Sequence, residues 1–223
     1  MIALATFRLA AYVRSHRVYQ ALLLTLAMLA ILYGSKAPRG AEVGVLTDGG
    51  VLIIPILAWT ARSLLDTEPD PQREMSAIQV GGRGREVAAG LAAAFAACTV
   101  LAALGLGWAL LLGVSQAPRG RMLAAVLILH ALAALTGTAL GALTSRAVVR
   151  SPAVSIMALV LGFLAMLLLS TSSLHWLTVP LIAWMKAANA GHLLDELPEL
   201  ATVSLVWCLI GLGTYAWLRR RVG

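Results

Sequence analysis

Residues 66–85, DTEPDPQREMSAIQVGGRGR, decide how the rest of the chain is read. This internal run has the composition of a solvated but structured loop, and it separates two long apolar segments. Pro71 stands where a helix would start, because its missing N–H is not needed in a first turn and its φ is already helical. A short helix is expected over 71–80, with Asp70 as N-cap and Gly81-Gly82 as its stop. Asp66, Glu68 and Asp70 fall near the positive end of its dipole. The stretch reads as a compact knob rather than a slack link.

The flanking composition says what the knob is attached to. Of 223 residues, 60% are hydrophobic and 12% charged, far too apolar a balance for a soluble domain. A helix needs about 20 apolar residues to cross the ~30 Å hydrocarbon layer. Segments 18–34, 43–46 with 51–65, 87–114, 122–143, 152–170 and 200–218 meet or approach that length. Their unbroken Leu/Ala/Val runs lack the alternation of barrel strands. The expected fold is an all-α integral membrane protein with six transmembrane helices in a single domain, 1–223.

A net charge of +7 is of the sign that nucleic acid attracts, but the location of the basic residues says otherwise. Six spans put both termini on one side, together with Arg8, Arg14, Arg17, Arg62, Arg73, Arg83, Arg85, Arg146, Arg150, Arg219, Arg220 and Arg221. Lys36, Arg39, Arg119, Arg121 and Lys186 fall on the other. By the positive-inside rule the termini and the 66–85 loop are expected in the cytoplasm, the chain being a multi-pass protein of the inner (plasma) membrane.

Residues 1–17 form a helical lead-in whose apolar stripe is not clean, so a surface-lying helix and a simple extension of the first span are both open. The first apolar run is too long, and its exit Ser35-Lys36-Ala37 too poor a cleavage site, for a signal peptide, so it is read as an anchor. Pro55 is placed to kink the second span, and Arg62 is close enough to its end to snorkel to the headgroups. Gly137 and Gly141 make a small-xxx-small pair suited to close packing within one chain. Cys98 and Cys208 sit inside spans as small apolar residues. Residues 171–199 hold an apolar run too short to cross, broken by Pro180 and bracketed by Trp176 and Trp184; aromatic residues prefer the headgroup level, so a re-entrant or interfacial segment on the outer side is expected.

Chemical constellations are sparse. Gly81-Gly82-Arg83-Gly84 is no phosphate cradle, because no lysine with Ser/Thr follows at P-loop spacing and no strand precedes it. His175, His192, Asp195, Glu196 and Glu199 match neither zinc spacing nor a nucleophile triad. His130 is the ionisable group near the middle of a span, with no second member for a proton relay; hydrogen bonding to a neighbouring helix is its expected role.

A lead-in helix, six spans, the loop DTEPDPQREMSAIQVGGRGREVAAG after the second, and a broken segment with Pro180 before the last together resemble ABC-2-type transporter permeases, particularly compact bacterial ones. The resemblance covers nearly the whole chain in layout, and its sequence motif is confined to the acidic-Pro-Gln-Arg-Glu helix and the Gly-Gly stop. It implies that 1–17 is an interfacial helix, that 66–86 is a cytoplasmic coupling loop and that 171–199 is an outer re-entrant segment. The helix over 71–80 would dock into a separate ATP-binding-cassette subunit through Arg73, Glu74, Met75 and Ile78, with Glu68 and Asp66 where the family often places a carboxylate at the inner end of the second span. A second permease subunit, identical or paralogous, would complete the path, and His130, Phe163 and Met166 are candidates to line it. The chain itself would be no enzyme and hold no cofactor; ATP and Mg²⁺ would be bound by the partner. The implied function is export of an amphipathic peptide, lipid or drug, the alternative being a non-transporting scaffold or immunity-type accessory protein.

Overall fold

The computed structural model describes residues 1–221, and among them every regular element is a helix. Helix α1 (Ile2–Arg14) ends at Ser15-His16, where His16 takes a left-handed φ of 61°, and α2 (Arg17–Leu32) leaves at 73° to it. Helices α3 (Glu42–Leu52) and α4 (Ile54–Leu65) form one apolar stretch of 24 residues interrupted at Ile53. Pro55 explains the interruption. It has no N–H for the carbonyl one turn back, so the ladder breaks just ahead of it.

The knob follows as α5 (Asp70–Gln79), then α6 (Arg83–Trp108), which continues through a π-helical turn at Ala109–Gly113. Helices α7 (Arg121–Leu143) and α8 (Pro152–Thr171) come next. After a 3₁₀ turn at His175–Leu177 lie α9 (Leu181–Ala190) and α10 (Leu193–Arg221). Five helical stretches are long and apolar enough to cross a membrane, or six if the bent pair α1–α2 counts as one. The final helix starts at Leu193 rather than near residue 200, because Asp195 and Glu196 suit its first turn and Pro198 lies early enough to be accommodated.

Helix α7 is the centre of the bundle, with α4, α6 and α10 packed around it. Gly137 and Gly141 make this possible. A side chain at Gly137 would meet Leu57, and one at Gly141 the carbonyl of Ala58, so α4 lies directly on the backbone of α7. The small-residue pair thus joins two helices of the same chain. Cys98 is buried in the same core and donates to the carbonyl of Leu57 at 3.2 Å.

The helices gather their ends into two groups. At the basic end meet the α1–α2 bend, the α4–α5–α6 connection, the α7–α8 turn and the end of α10. At the opposite end the loop after α2 joins the end of α6 through Ala37 N–H to Gly113 (2.8 Å), and α9 seats against α3. Trp184 of α9 was expected at headgroup level; it is instead wholly buried, beside the equally buried Leu181 and Leu193. Packing of α9 against α3, α8 and α10 encloses it.

Candidate functional site at the basic end

Helix α5 is rigidly terminated. Gly81 (φ 81°) donates to Ile78 and Gly82 to Ala77, the paired bonds of a Schellman motif that glycine allows at positive φ. Its start differs slightly from expectation: Pro69 is the N-cap and Asp70 already lies in the first turn, 3.4 Å from Arg73. The helix has two distinct faces. Arg73, Ser76 and Ala77 are buried, whereas Glu74, Met75, Ile78 and Gln79 are exposed, Ile78 at 80%.

The buried face is held by ions. Arg8 of α1 donates through Nε to Glu68 Oε2 (2.9 Å), through Nη1 to the Glu86 carbonyl (3.1 Å), and through Nη2 to the carboxylates of both Glu68 and Glu86. Ser76 of α5 donates to the other Glu68 oxygen at 2.8 Å, and Arg219 of α10 reaches Glu86 Oε2 at 3.3 Å. Arg73 donates to the carbonyl of Leu65. Helices α1, α5, α6 and α10 and the end of α4 are therefore tied to one buried network. Such a network is expensive to strip of one member, because the charges left behind remain out of water.

This arrangement accounts for the untidy stripe of α1. Arg8 and Tyr12 face inward, while Ile2, Phe7 and Val13 face out, the reverse of an ordinary surface helix. Nothing in the pattern of α1 alone shows that its arginine has two carboxylate partners, one of them 78 residues further on.

A second cluster lies alongside. Arg62 was expected to snorkel; it is buried instead, donating to Ser155 Oγ of α8 at 2.5 Å and standing 3.9 Å from Asp66. Ser155 passes its own hydrogen to the carbonyl of Thr144. These partners inside the protein make a route to the headgroups unnecessary. Asp66 also accepts the backbone N–H of Arg146 (2.9 Å), fixing the α7–α8 turn to the knob. Burial pushes the Asp66 carboxyl above the usual carboxylate range, against the opposing pull of that N–H and of Arg62.

Between α5, the start of α6, the α7–α8 turn and the end of α10 opens a polar crevice of about 810 Å³. Glu68, Arg73 and Glu74 all line it, and Met75 and Ile78 do not. The expected docking residues are thus divided. Glu74, Met75 and Ile78 present an outer face, while Glu68 and Arg73 hold the helix from within.

The three residues considered for a path are not brought together. His130 is buried on α7 against Gly50 of α3; its Nδ1–H donates to Val126 of its own helix (2.9 Å) rather than to a neighbouring one. Met166 of α8 lines an apolar cavity of about 240 Å³ with residues of α7 and α10, including Thr136 and Cys208. Neither His130 nor Phe163, which is buried on α8, belongs to that lining. At the start of α10, His192 and Asp195 stand 4.0 Å apart and exposed, and no metal-type cluster forms among the described residues.

Sequence reasoning missed Arg8, Glu86 and Ser155. Glu86 carried a faint signal as an acid opening an apolar helix, where the dipole favours it. Ser155 carried none. Comparison of the chain with models of known protein families, with curated proteins and with solved structures returns no match.

Proposed function

We propose that the chain is the membrane-spanning subunit of an ATP-driven exporter of the ABC-2 type, with α5 as the helix on which a separate ATPase pushes. One observation carries the reading: a stiff, glycine-stopped helix between two long apolar stretches buries Arg73 and Ser76, bonded to the Leu65 carbonyl and to Glu68, and leaves Met75 and Ile78 exposed. A soluble face with two large apolar residues and an adjacent Glu74 fits a groove on a partner protein.

In this reading the chain is one permease domain of six spans, α2 supplying the first, in an inner membrane. Helix α1 lies at the cytoplasmic interface, both termini are cytoplasmic, and the segment holding α9 is re-entrant at the outer mouth. A second permease subunit completes the path, and ATP with Mg²⁺ belongs to the ATPase. The ionic network gives the push somewhere to go. Force applied to α5 is passed through Glu68 to Arg8 and α1, and through Glu86 to α6 and Arg219 of α10. These elements tilt with α5, opening a path for an amphipathic cargo by alternating access.

The test is association. Glu74→Arg combined with Ile78→Asp changes only exposed positions and should leave the melting temperature in detergent unchanged while abolishing co-purification of an ATP-binding-cassette ATPase from the native membrane. Undiminished co-purification of a folded variant overturns the docking assignment.

A further inference from the structure

We propose that the crevice at the basic end binds the phosphate of an anionic membrane lipid. Six arginines line it: Arg17, Arg73, Arg83, Arg146, Arg150 and Arg219. Five carboxylates line it too, but most are already engaged. Glu68 and Glu86 are taken by Arg8 and Arg219, Asp66 by Arg62 and the Arg146 backbone, and Asp70 by Arg73. Among the described residues the guanidiniums of Arg83, Arg146 and Arg150 have no acceptor, and of the five carboxylates only Glu74 has no cation. Three free cations thus face one free anion, so the crevice attracts a ligand of negative charge.

Position identifies the source of that charge. Arg17 opens α2, Arg83 opens α6, Arg146 and Arg150 occupy the turn between α7 and α8, and Arg219 lies in the last turn of α10. Except for Arg17, which sits at the bend between α1 and α2, all lie at or beside the ends of stretches long and apolar enough to cross a bilayer. The crevice therefore lies where hydrocarbon gives way to headgroups, a layer in which lipid phosphate is always present. Guanidinium forks match phosphate oxygens in pairs, and about 810 Å³ is room for a headgroup. The turn carrying Arg146 and Arg150 is already fixed, by Asp66 and by the N–H groups of Val148 and Val149 on the Ser145 carbonyl (2.9 Å each), so little ordering is left for the ligand to impose.

The inference needs only a membrane-embedded chain and stands apart from the coupling role. The whole purified protein is titrated with phosphatidylglycerol or phosphatidylcholine, and bound lipid is counted by native mass spectrometry. Phosphatidylglycerol should be retained preferentially, and Arg83→Gln/Arg146→Gln/Arg150→Gln should weaken it by about a hundred-fold at low salt. Arg39→Gln with Arg119→Gln, at the opposite end, should leave it unchanged. Equal retention of the two lipids, or equal retention by the triple variant, overturns the proposal. Displacement of the lipid by millimolar inorganic phosphate would make the crevice a soluble-phosphate site and overturns the lipid assignment. As a check independent of how the variant folds, phosphatidylglycerol should protect Arg83, Arg146 and Arg150 of the natural chain from phenylglyoxal. Protection conferred only by a co-purified protein would assign the crevice to an acidic partner instead.

Discussion

The two ends of the bundle use the same kinds of residue in opposite ways. At the basic end Arg8, Glu68 and Glu86 are buried and paired across helices far apart in sequence, and the buried Arg62 donates to the distant Ser155. At the other end Lys36, Arg39, Arg119, Arg121, Lys186, Asp195 and Glu196 are exposed, and the core is closed by Trp184, Leu181 and Leu193. One end is an ionic clamp and the other an apolar plug. A clamp fixes relative position through directed bonds, whereas a plug fixes volume. The coupling role proposed for α5 would call on the former.

The difference can be broken most sharply at Arg8. Arg8→Leu leaves Glu68 and Glu86 without their shared cation, and should cost about 5 kcal/mol in detergent unfolding. Neutralising the carboxylates as well, with Glu68→Gln and Glu86→Gln, should recover a large part of the loss, because the penalty comes from stranded charge. Unchanged unfolding of Arg8→Leu would remove the clamp from the account.

At the plug, Trp184→Ala should cost about 3–4 kcal/mol by opening a cavity in a packed site, and no second substitution of a charged residue should restore it. Between the ends, Gly141→Val forces α4 off α7 and should cost about 1–3 kcal/mol, read from the same unfolding midpoint. His130→Leu loses one bond to its own helix and should change stability by about 1 kcal/mol or less; a transport assay that falls sharply for this variant would restore His130 to a path. Lys186→Ala, on the exposed side of α9, should lie within about 0.5 kcal/mol of the natural chain.

Much of the site was legible where the cause is local. The helix of the knob and its Gly81-Gly82 stop follow from proline, glycine and dipole rules that act within a few residues, and the structure moves its start by one residue only. Glu68, Arg73, Glu74, Met75 and Ile78 were grouped together for docking because a sequence does not say which side of a helix meets the bundle; the structure exposes Glu74, Met75 and Ile78 and buries the other two. Arg62 and Trp184 were misplaced for a related reason. Rules for snorkelling arginines and interfacial tryptophans describe a helix facing lipid, and both residues face protein instead.

What the sequence alone determined, then, is the helical class, the existence and ending of the knob, the interruption near Pro55, and the close approach that Gly137 and Gly141 permit; each rests on backbone geometry or on a run of apolar residues long enough to act by itself. What only the tertiary structure decided is which charges are buried and with whom. Arg8 finds Glu68 across 60 residues and Glu86 across 78, and Arg62 finds Ser155 across 93. Pairings at that range leave no periodic trace along the chain, because they are fixed by which helix ends the packed α7 core brings to the same place.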